Sequence, residues 1–314
     1  MMVLARPAAP GAAGRAYRSE AFAPGRGLQE IGIVDLLDEA VAATPERDAL
    51  LYSGYGQVAA LCWTYRDLAR EAKAAARALV AAGVRHGERV AVWAPNRPEF
   101  VPLWFGAASV GVVLVPVNPL YRQDEIAYLL AKVDAKLCFL TPTDRGVDLA
   151  AILERARPDL PDLTRVIAWD ALPGETGAGW DAWLATGDIV TDATLVERHA
   201  RVTPDDTVLV QFTSGTTGRP KGVECVSRAV ANEGLAITER AGIEDGCRYA
   251  NPMPLFHNGG AVVVLMACTA VRGTHLLIDK FEAGLTCRVL QDLEATAMLG
   301  VPSMLLAIDR KSTR

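Results

Sequence analysis

Residues 213–221 of this 314-residue chain, TSGTTGRPK, combine the residue types that bind a polyphosphate. Glycines let the backbone approach an anion and expose its N–H groups, hydroxyls add neutral donors, and a lysine adds a compact positive charge. The spacing differs from the common P-loop, in which Gly-Lys-Ser/Thr leads directly into a helix, because Lys221 follows a proline and precedes a glycine. The stretch indicates a phosphate-binding loop of another type. For such a loop taken alone, a surface loop rich in small polar residues is the alternative.

The loop needs elements that hold it in place, and the sequence around it predicts them. Residues 208–212 form a short apolar run rich in β-branched and aromatic residues, which is typical of a buried strand. Further on, the run PLFHNGG contains His257 and precedes an apolar stretch at 261–271 that predicts a buried helix. On its own, a histidine flanked by Phe256 and Asn258 is more often a structural residue than a catalytic one.

The ten positions at 213–222, TSGTTGRPKG, resemble the phosphate-binding signature of the adenylate-forming superfamily, which includes acyl-CoA synthetases, peptide-synthetase adenylation domains and luciferases. In that superfamily the carboxylate of an acid attacks the α-phosphate of ATP, giving an acyl-adenylate and pyrophosphate, and coenzyme A then usually displaces AMP. The resemblance implies that the loop holds the β- and γ-phosphates, and it gives Arg219 and Pro220 no catalytic role. The implied phosphate-binding residues are Thr213, Ser214, Gly215, Thr216, Thr217, Gly218 and Lys221.

PLFHNGG resembles a second family motif, in which the histidine lies near the carboxylate and the acyl pocket. The resemblance therefore makes His257 the candidate catalytic residue, with the role of positioning the substrate. Peptide-synthetase domains typically carry an aspartate in this motif, and its absence here favours a fatty or aryl acid with an uncharged tail. Residues 300–303, GVPS, resemble a third segment, which contributes to the wall of the acyl pocket.

The chain departs from the family pattern in two ways. Family members commonly carry a histidine six residues after the lysine, where this chain has Ser227. The resemblance covers about residues 30–308, a little over half of a typical family member. The family's Mg²⁺-binding glutamate, its adenine- and ribose-binding residues and its C-terminal catalytic lysine belong to later segments, so we assign no metal ligand in this chain.

The resemblance implies an ATP-dependent acyl-CoA ligase present as an incomplete chain. ATP and Mg²⁺ are the expected cofactors, coenzyme A is the co-substrate, and a small carboxylic acid is the partner. The alternative is a catalytically inactive truncated remnant with at most weak nucleotide binding. The first hypothesis describes the ancestry of the chain and the second its present activity, and the sequence leaves both open.

Composition bounds the class of protein and its surroundings. Hydrophobic residues make up 51% of the chain and charged residues 22%, which describes a globular protein. The net charge of −5 shows no basic excess, so we expect no nucleic-acid partner. Six cysteines without a C-x-x-C pair argue against a zinc site and fit a reducing cytoplasm. The apolar run at 261–271 is too short to span a membrane.

Strand-like and helical patterns alternate along the chain. Strands at 90–93, 112–117 and 136–140 are separated by helices at about 96–110 and 123–133, which predicts a parallel sheet covered on both faces. The predicted fold class is α/β, with layered subdomains, largely parallel sheets and the truncated N-terminal portion of the adenylate-forming fold. The predicted divisions are a disordered tail at 1–28, a first subdomain at 29–205 and an incomplete second subdomain at 206–314 that carries the phosphate loop.

Local patterns add finer expectations. Residues 49–52 and 59–63 predict a hairpin, and Thr64 with Asp67 predicts a capping box at the start of a helix. Asn96 with Glu99 predicts another capping box, which would leave Pro102 beyond the first helical turn and kink the helix. The sheet is expected to end near residue 300 with an open edge, which predicts self-association.

Overall fold

A computed structural model describes residues 27–54, 57, 59–170, 179–213 and 219–312. The predicted tail lies outside these residues except for its last two positions. Five of the predicted phosphate-binding residues also lie outside them, namely Ser214, Gly215, Thr216, Thr217 and Gly218. Thr213, Lys221 and His257 are described.

Helices and strands alternate through the described chain. The helices are α1 Ile33–Ala43, α2 Tyr65–Ala81, α3 Phe100–Ser109, α4 Gln123–Lys132, α5 Leu149–Ala156, α6 Trp180–Ala185, α7 Asp192–His199, α8 Ser227–Ala241, α9 Ala267–Ala270, α10 Ala283–Asp292 and α11 Pro302–Ser312. The strands are β1 Asp48–Ser53, β2 Leu61–Thr64, β3 Arg89–Trp93, β4 Val113–Val117, β5 Leu137–Leu140, β6 Thr143–Asp144, β7 Val147–Asp148, β8 Arg165–Ala168, β9 Thr207–Thr213, β10 Lys221–Val226, β11 Arg248–Asn251, β12 Thr274–Ile278 and β13 Ala297–Met298. A π-helix spans Gly259–Met266, and short 3-10 helices span Arg157–Asp159 and Thr186–Ile189.

Two main sheets organise the molecule. One has six strands in the order β10-β9-β4-β3-β5-β8, and its pairs are parallel except for β10 with β9. The other has five strands in the order β13-β11-β12-β1-β2, parallel except for β1 with β2. The pair β6-β7 forms a small separate ribbon. The predicted α/β class with largely parallel sheets is confirmed.

Neither sheet keeps to one side of the predicted division between 29–205 and 206–314. The hairpin β9-β10 joins the six-stranded sheet of the earlier segment, and β1-β2 joins the five-stranded sheet of the later one. The pairs Leu114 with Leu209 and Leu50 with His275, which are 95 and 225 positions apart, produce this exchange. Local sequence patterns carry no information about such pairing.

The strand that leads to the phosphate loop is fixed by the core. Leu209 of β9 lies opposite Leu114 of β4 in a parallel pair, and both side chains are fully buried. Trp104 of α3 is also buried, and its indole Nε1 donates to the carbonyl oxygen of Val208 at 3.0 Å. Helix α3 in turn lies so close to α2 that a Cβ on Gly106 would stand 2.4 Å from the Ala72 carbonyl oxygen. The β9 backbone therefore has rigid neighbours on the side of the sheet and on the side of the helices.

The predicted hairpin and the first capping box are confirmed. β1 and β2 pair in antiparallel fashion, with Leu50 opposite Trp63. At the start of α2, the Thr64 hydroxyl accepts from the Asp67 N–H at 3.1 Å, and the Asp67 carboxylate accepts from the Thr64 N–H at 3.1 Å. Short-range polar contacts of this kind are visible in a sequence because both partners belong to one helical turn.

The second predicted capping box is wrong. Helix α3 begins at Phe100, so Pro102 lies in the first turn, where a helix tolerates a missing N–H, and it demands no kink. The Asn96 amide instead donates to the carbonyl oxygens of Met253 and Ile278 at 3.0 and 2.8 Å. Both acceptors are more than 150 positions away in the sequence, and the bonds to them hold the Asn96 side chain away from the start of α3.

The predicted helix at 261–271 is present in two parts. Residues Gly259–Met266 form a π-helix, and α9 continues it through Ala270. A wide turn of this kind occurs often at functional sites. Among the described residues, no helix has the length and apolar character that a membrane span requires.

Ser227, which stands where the family commonly has histidine, is a buried cap for a distant helix. Its hydroxyl oxygen accepts from the N–H of Ile33 at 2.9 Å, at the start of α1. Gly32 permits this approach, because a Cβ there would lie 2.5 Å from the Ser227 Oγ. The serine thus joins the segment behind the phosphate loop to the first helix.

Candidate functional site

The two described ends of the predicted phosphate loop face each other at the open end of the hairpin β9-β10. Thr213 is the last residue of β9 and pairs directly with Lys221, the first residue of β10. Residues paired in this way on antiparallel strands project from the same face. Both residues are exposed, and no described carboxylate forms a salt bridge with Lys221. The Thr213 hydroxyl donates a long hydrogen bond of 3.5 Å to the Lys221 carbonyl oxygen. The two exposed side chains therefore lie side by side, where an anion can reach the ammonium group and compete for the hydroxyl.

The loop after β11 fixes His257. Its backbone N–H donates to the Pro254 carbonyl oxygen at 3.1 Å, and its ring Nδ1 accepts from the N–H of Gly259 at 3.1 Å. Because Nδ1 accepts, the neutral ring carries its proton on Nε2. The side chain is exposed, so Nε2 is the ring atom available to a bound molecule.

The second glycine of PLFHNGG is required by close backbone packing. A Cβ on Gly260 would lie 2.3 Å from the Pro254 carbonyl oxygen, a distance that no side chain allows. The Gly260 carbonyl oxygen also accepts from the amide of buried Asn251 at 3.1 Å. The loop that carries His257 is consequently folded tightly onto the start of the π-helix.

A cleft of about 610 Å³ brings the two motifs together. It lies beyond the carboxyl ends of β4 and β9, the edge at which open α/β sheets bind ligands. Its lining includes Asn118, Gln211, Thr213, Val223, Phe256 and His257. Two predicted site residues from separate motifs, Thr213 and His257, thus share one cavity. Lys221 stands opposite Thr213 at its margin and is absent from the described lining.

Gln211 lines the same cleft, and the sequence motifs did not indicate it. It lies two positions before Thr213 on the same strand face, directly opposite Val223. Its side-chain Nε2 is buried and has no hydrogen-bond partner within the part of the chain that the structure describes. An unpaired buried donor costs about 1–3 kcal/mol, so this amide is suited to a ligand that brings an acceptor. The period of two along β9 was the available signal, because it places residues 211 and 213 on one face.

A smaller cleft of about 250 Å³ adjoins the first, and Asn118 and Phe256 line both. Its lining also includes Asp279, Lys280 and Met304. Burial raises the pKa of the Asp279 carboxyl, and the positive charges of Lys280 and Arg97 oppose that rise.

The segment at 300–303 lies beside the smaller cleft. It leads into α11, and Met304, the next residue, lines that cavity. None of the four residues is among the described lining of either cleft. Their predicted contribution to the acyl pocket wall stays a prediction.

The residues that the structure describes do not form a magnesium site. Within the described ranges, no three His, Cys, Asp or Glu side chains are grouped so that they could hold a metal ion. We therefore assign no described residue of this chain to Mg²⁺ and derive no step through it.

The fold defines the class of protein. A long-chain-fatty-acid-CoA ligase (FadD1) from Archaeoglobus fulgidus matches 92% of this chain with 55% of its own, with a TM-score of 0.76 and 21% identity. At this identity the likeness shows the fold, which is that of the N-terminal domain of adenylate-forming enzymes.

The chain belongs to the AMP-binding enzyme family, which it matches over residues 37–313. Acyl-CoA ligase SID4 of Ajellomyces capsulatus is 34% identical over 253 residues, covering 78% of this chain and 43% of that protein. The mitochondrial medium-chain acyl-CoA ligase ACSF2 of Mus musculus is 30% identical over 294 residues, covering 87% of this chain and 47% of that protein. The chain spans about half the length of the curated relatives it matches.

Proposed function

We propose that this chain forms the phosphate- and acid-binding part of an ATP-dependent acyl-CoA ligase. The observation that carries the proposal is the shared cleft, in which Thr213 of the phosphate loop and His257 of the second motif line one cavity. Membership of the AMP-binding enzyme family supports the use of ATP. The names of the relatives, which are acyl-CoA ligases, support coenzyme A as the acceptor.

The proposed reaction has two steps. A carboxylate oxygen of the acid attacks the α-phosphorus of ATP, the bond from that phosphorus to the bridging oxygen breaks, and pyrophosphate leaves. The thiol of coenzyme A then loses its proton to water, and its sulfur attacks the acyl carbonyl carbon. AMP leaves with the electron pair of the broken C–O bond. The attacking carboxylate is already a competent nucleophile, so the protein's task is alignment and stabilisation of charge.

The proposed roles follow from the chemistry of each group. Lys221 and the hydroxyl of Thr213 stabilise the negative charge on the β- and γ-phosphates as pyrophosphate departs. The same role is proposed for Ser214, Gly215, Thr216, Thr217 and Gly218, on the basis of the family signature. His257 positions the acid through Nε2, while its Nδ1 is occupied by the Gly259 N–H.

We propose a fatty or aryl acid as the substrate. The cleft carries apolar side chains such as Val223 and Phe256 beside the polar groups of Gln211 and His257. The motif at 254–260 has no aspartate that would pair with the amine of an amino acid. The names of relatives that act on medium-chain acyl groups support the same class of substrate.

We further propose that the chain works in the cytoplasm. All six cysteines are free thiols, and unpaired thiols persist in a reducing compartment. Fractionation of cells that express the chain, followed by antibody detection, tests this proposal. Recovery in a membrane-bound organelle would contradict it.

Acid-dependent exchange between ATP and labelled pyrophosphate tests the proposed function against its alternative, a remnant that forms no adenylate. Exchange that requires a fatty or aryl acid and disappears in Lys221→Ala would support the ligase and contradict the remnant. Absence of exchange at every acid tested, with ATP binding retained, would support the remnant. The acids offered should differ in chain length and include a benzoate, since the class of acid is part of the proposal.

A further inference from the structure

Tyr128 of α4 contacts the stem of the phosphate loop, 92 positions further along the chain. Its hydroxyl donates to the carbonyl oxygen of Pro220 at 3.3 Å. The guanidinium carbon of Arg219 lies over its ring, 4.9 Å from the ring centroid. One aromatic side chain therefore contacts both of the residues that immediately precede Lys221.

The platform that carries Tyr128 is rigid. Helix α4 buries Ile126, Leu129 and Leu130 against the six-stranded sheet. Tyr128 is itself half-buried and packs against the edge of the same apolar cluster. A ring held in this way has little freedom, so its two contacts restrict the position of the backbone at residues 219 and 220.

Lys221 is restrained from two directions as a result. On one side its backbone pairs with Thr213 in the hairpin β9-β10. On the other side Pro220 has a fixed φ, and its carbonyl, which belongs to the peptide bond with Lys221, accepts the Tyr128 hydrogen bond. Contact with the ring also keeps the Arg219 guanidinium over α4.

We propose that Tyr128, with Arg219 and Pro220, positions Lys221 for the polyphosphate of ATP. Tyr128 touches no substrate in this account and acts only through the residues that precede the lysine. The inference rests on the proposed function of Lys221 and extends it to a residue of α4. It also gives a structural role to Arg219 and Pro220, which have no catalytic role in the resemblance to the family.

Calorimetric titration with ATP and with AMP distinguishes a role of Tyr128 in positioning Lys221 from a role in the stability of the whole fold. AMP lacks the β- and γ-phosphates, so loss of the Tyr128 contacts should weaken ATP binding and leave AMP binding unchanged. We expect Tyr128→Leu to weaken ATP binding about five- to tenfold, because it removes both the hydrogen bond and the cation–π contact. Tyr128→Phe keeps the ring and should weaken ATP binding by only about twofold.

A double-mutant comparison tests whether the residues act together. Arg219→Gln should weaken ATP binding, and combining it with Tyr128→Leu should add less than the sum of the two effects. Lys132→Gln, which removes the same charge from an exposed position at the end of α4, serves as the control and should leave ATP affinity unchanged. Melting temperatures of all variants should stay close to that of the wild type.

The outcomes distinguish this inference from the function on which it rests. If Lys221→Ala weakens ATP binding but Tyr128→Leu does not, the positioning role is wrong and the phosphate site stands. If Tyr128→Leu weakens ATP and AMP equally, its role is general stability and the inference is again wrong. If the wild type binds no ATP, or Lys221→Ala binds it as tightly as the wild type, both proposals fail.

Discussion

At the scale of single residues, the contacts of Ser227 explain how this chain tolerates a departure from the family pattern. Ser227 departs from the family's histidine, yet its side chain is buried and bonded to a backbone donor at the start of α1. The Ser227 hydroxyl can approach that donor because Gly32 has no side chain that would occupy the same space. The serine at this position therefore has a specific partner in this fold.

Replacing Ser227 by alanine should lower the free energy of unfolding by about 1–2 kcal/mol, because it leaves the buried Ile33 N–H without an acceptor. Urea unfolding followed by circular dichroism measures the change. Ser109→Ala is the matched control, since that hydroxyl donates only to a carbonyl of its own helix, that of Gly106. Equal stability of Ser227→Ala and the wild type would contradict the capping role.

The sequence could reveal only part of the site at this scale. Motifs indicated His257 and the loop residues, because each motif is contiguous. Gln211 and Tyr128 carried no motif, and their contacts depend on strand pairing and on a helix 92 positions from the loop stem. Long-range contacts of this kind become visible only in the folded chain.

At the scale of elements, periodicity predicted most helices and strands, and tertiary contacts decided the exceptions. The alternation of β3, α3, β4, α4 and β5 was predicted because parallel strands buried on both faces form continuous apolar runs. Strand β10, KGVECV, was missed, since its first four residues are exposed and no run of buried apolar residues marks it. The π-helix was predicted only as a buried helix, because periodicity does not report the width of a turn.

The central strand β12 contains a buried histidine with a pH-dependent consequence. Burial lowers the pKa of His275 from 6.5 to about 3, and its Nε2 lies 2.9 Å from the amide nitrogen of Asn251. Below pH 6.5 the unfolded chain protonates this imidazole while the folded chain keeps it neutral. The unfolded state then binds more protons, so the free energy of unfolding falls as the pH falls.

Between pH 7 and pH 5 this histidine should remove about 2 kcal/mol of stability, because each pH unit below 6.5 costs about 1.4 kcal/mol. Denaturant unfolding across this range should show a shallower pH dependence in His275→Gln than in the wild type. Parallel curves for the wild type and His275→Gln would contradict the prediction.

At the scale of the whole molecule, the site is assembled by strands exchanged between distant segments. The hairpin that holds the phosphate loop belongs to the six-stranded sheet, while the His257 loop follows β11 of the five-stranded sheet. The Asn96 side chain connects the two parts through hydrogen bonds to Met253, Leu255 and Ile278. The cleft between the motifs therefore depends on both sheets.

The edge of the five-stranded sheet leads us to expect self-association. Among the described strands, β13 pairs only with β11, and the adjoining α11 leaves Leu306 58% exposed. An unpaired edge beside exposed apolar surface favours contact with a second chain. Sedimentation velocity should detect dimers or larger species, and Leu306→Glu should reduce them. Ile189→Glu, at a site that is 81% exposed and far from Leu306 along the chain, should not reduce them. A monodisperse wild-type monomer would contradict this expectation.

The central claim is that the loop beginning after β9 binds the polyphosphate of ATP through Lys221. Calorimetric titration of ATP into the wild type and Lys221→Ala tests it most directly, with Lys132→Ala as a control that loses the same charge elsewhere. We predict that Lys221→Ala binds ATP about tenfold or more weakly, a loss of at least about 1.4 kcal/mol, while Lys132→Ala binds as the wild type does. Equal affinities in the wild type and Lys221→Ala would contradict the claim.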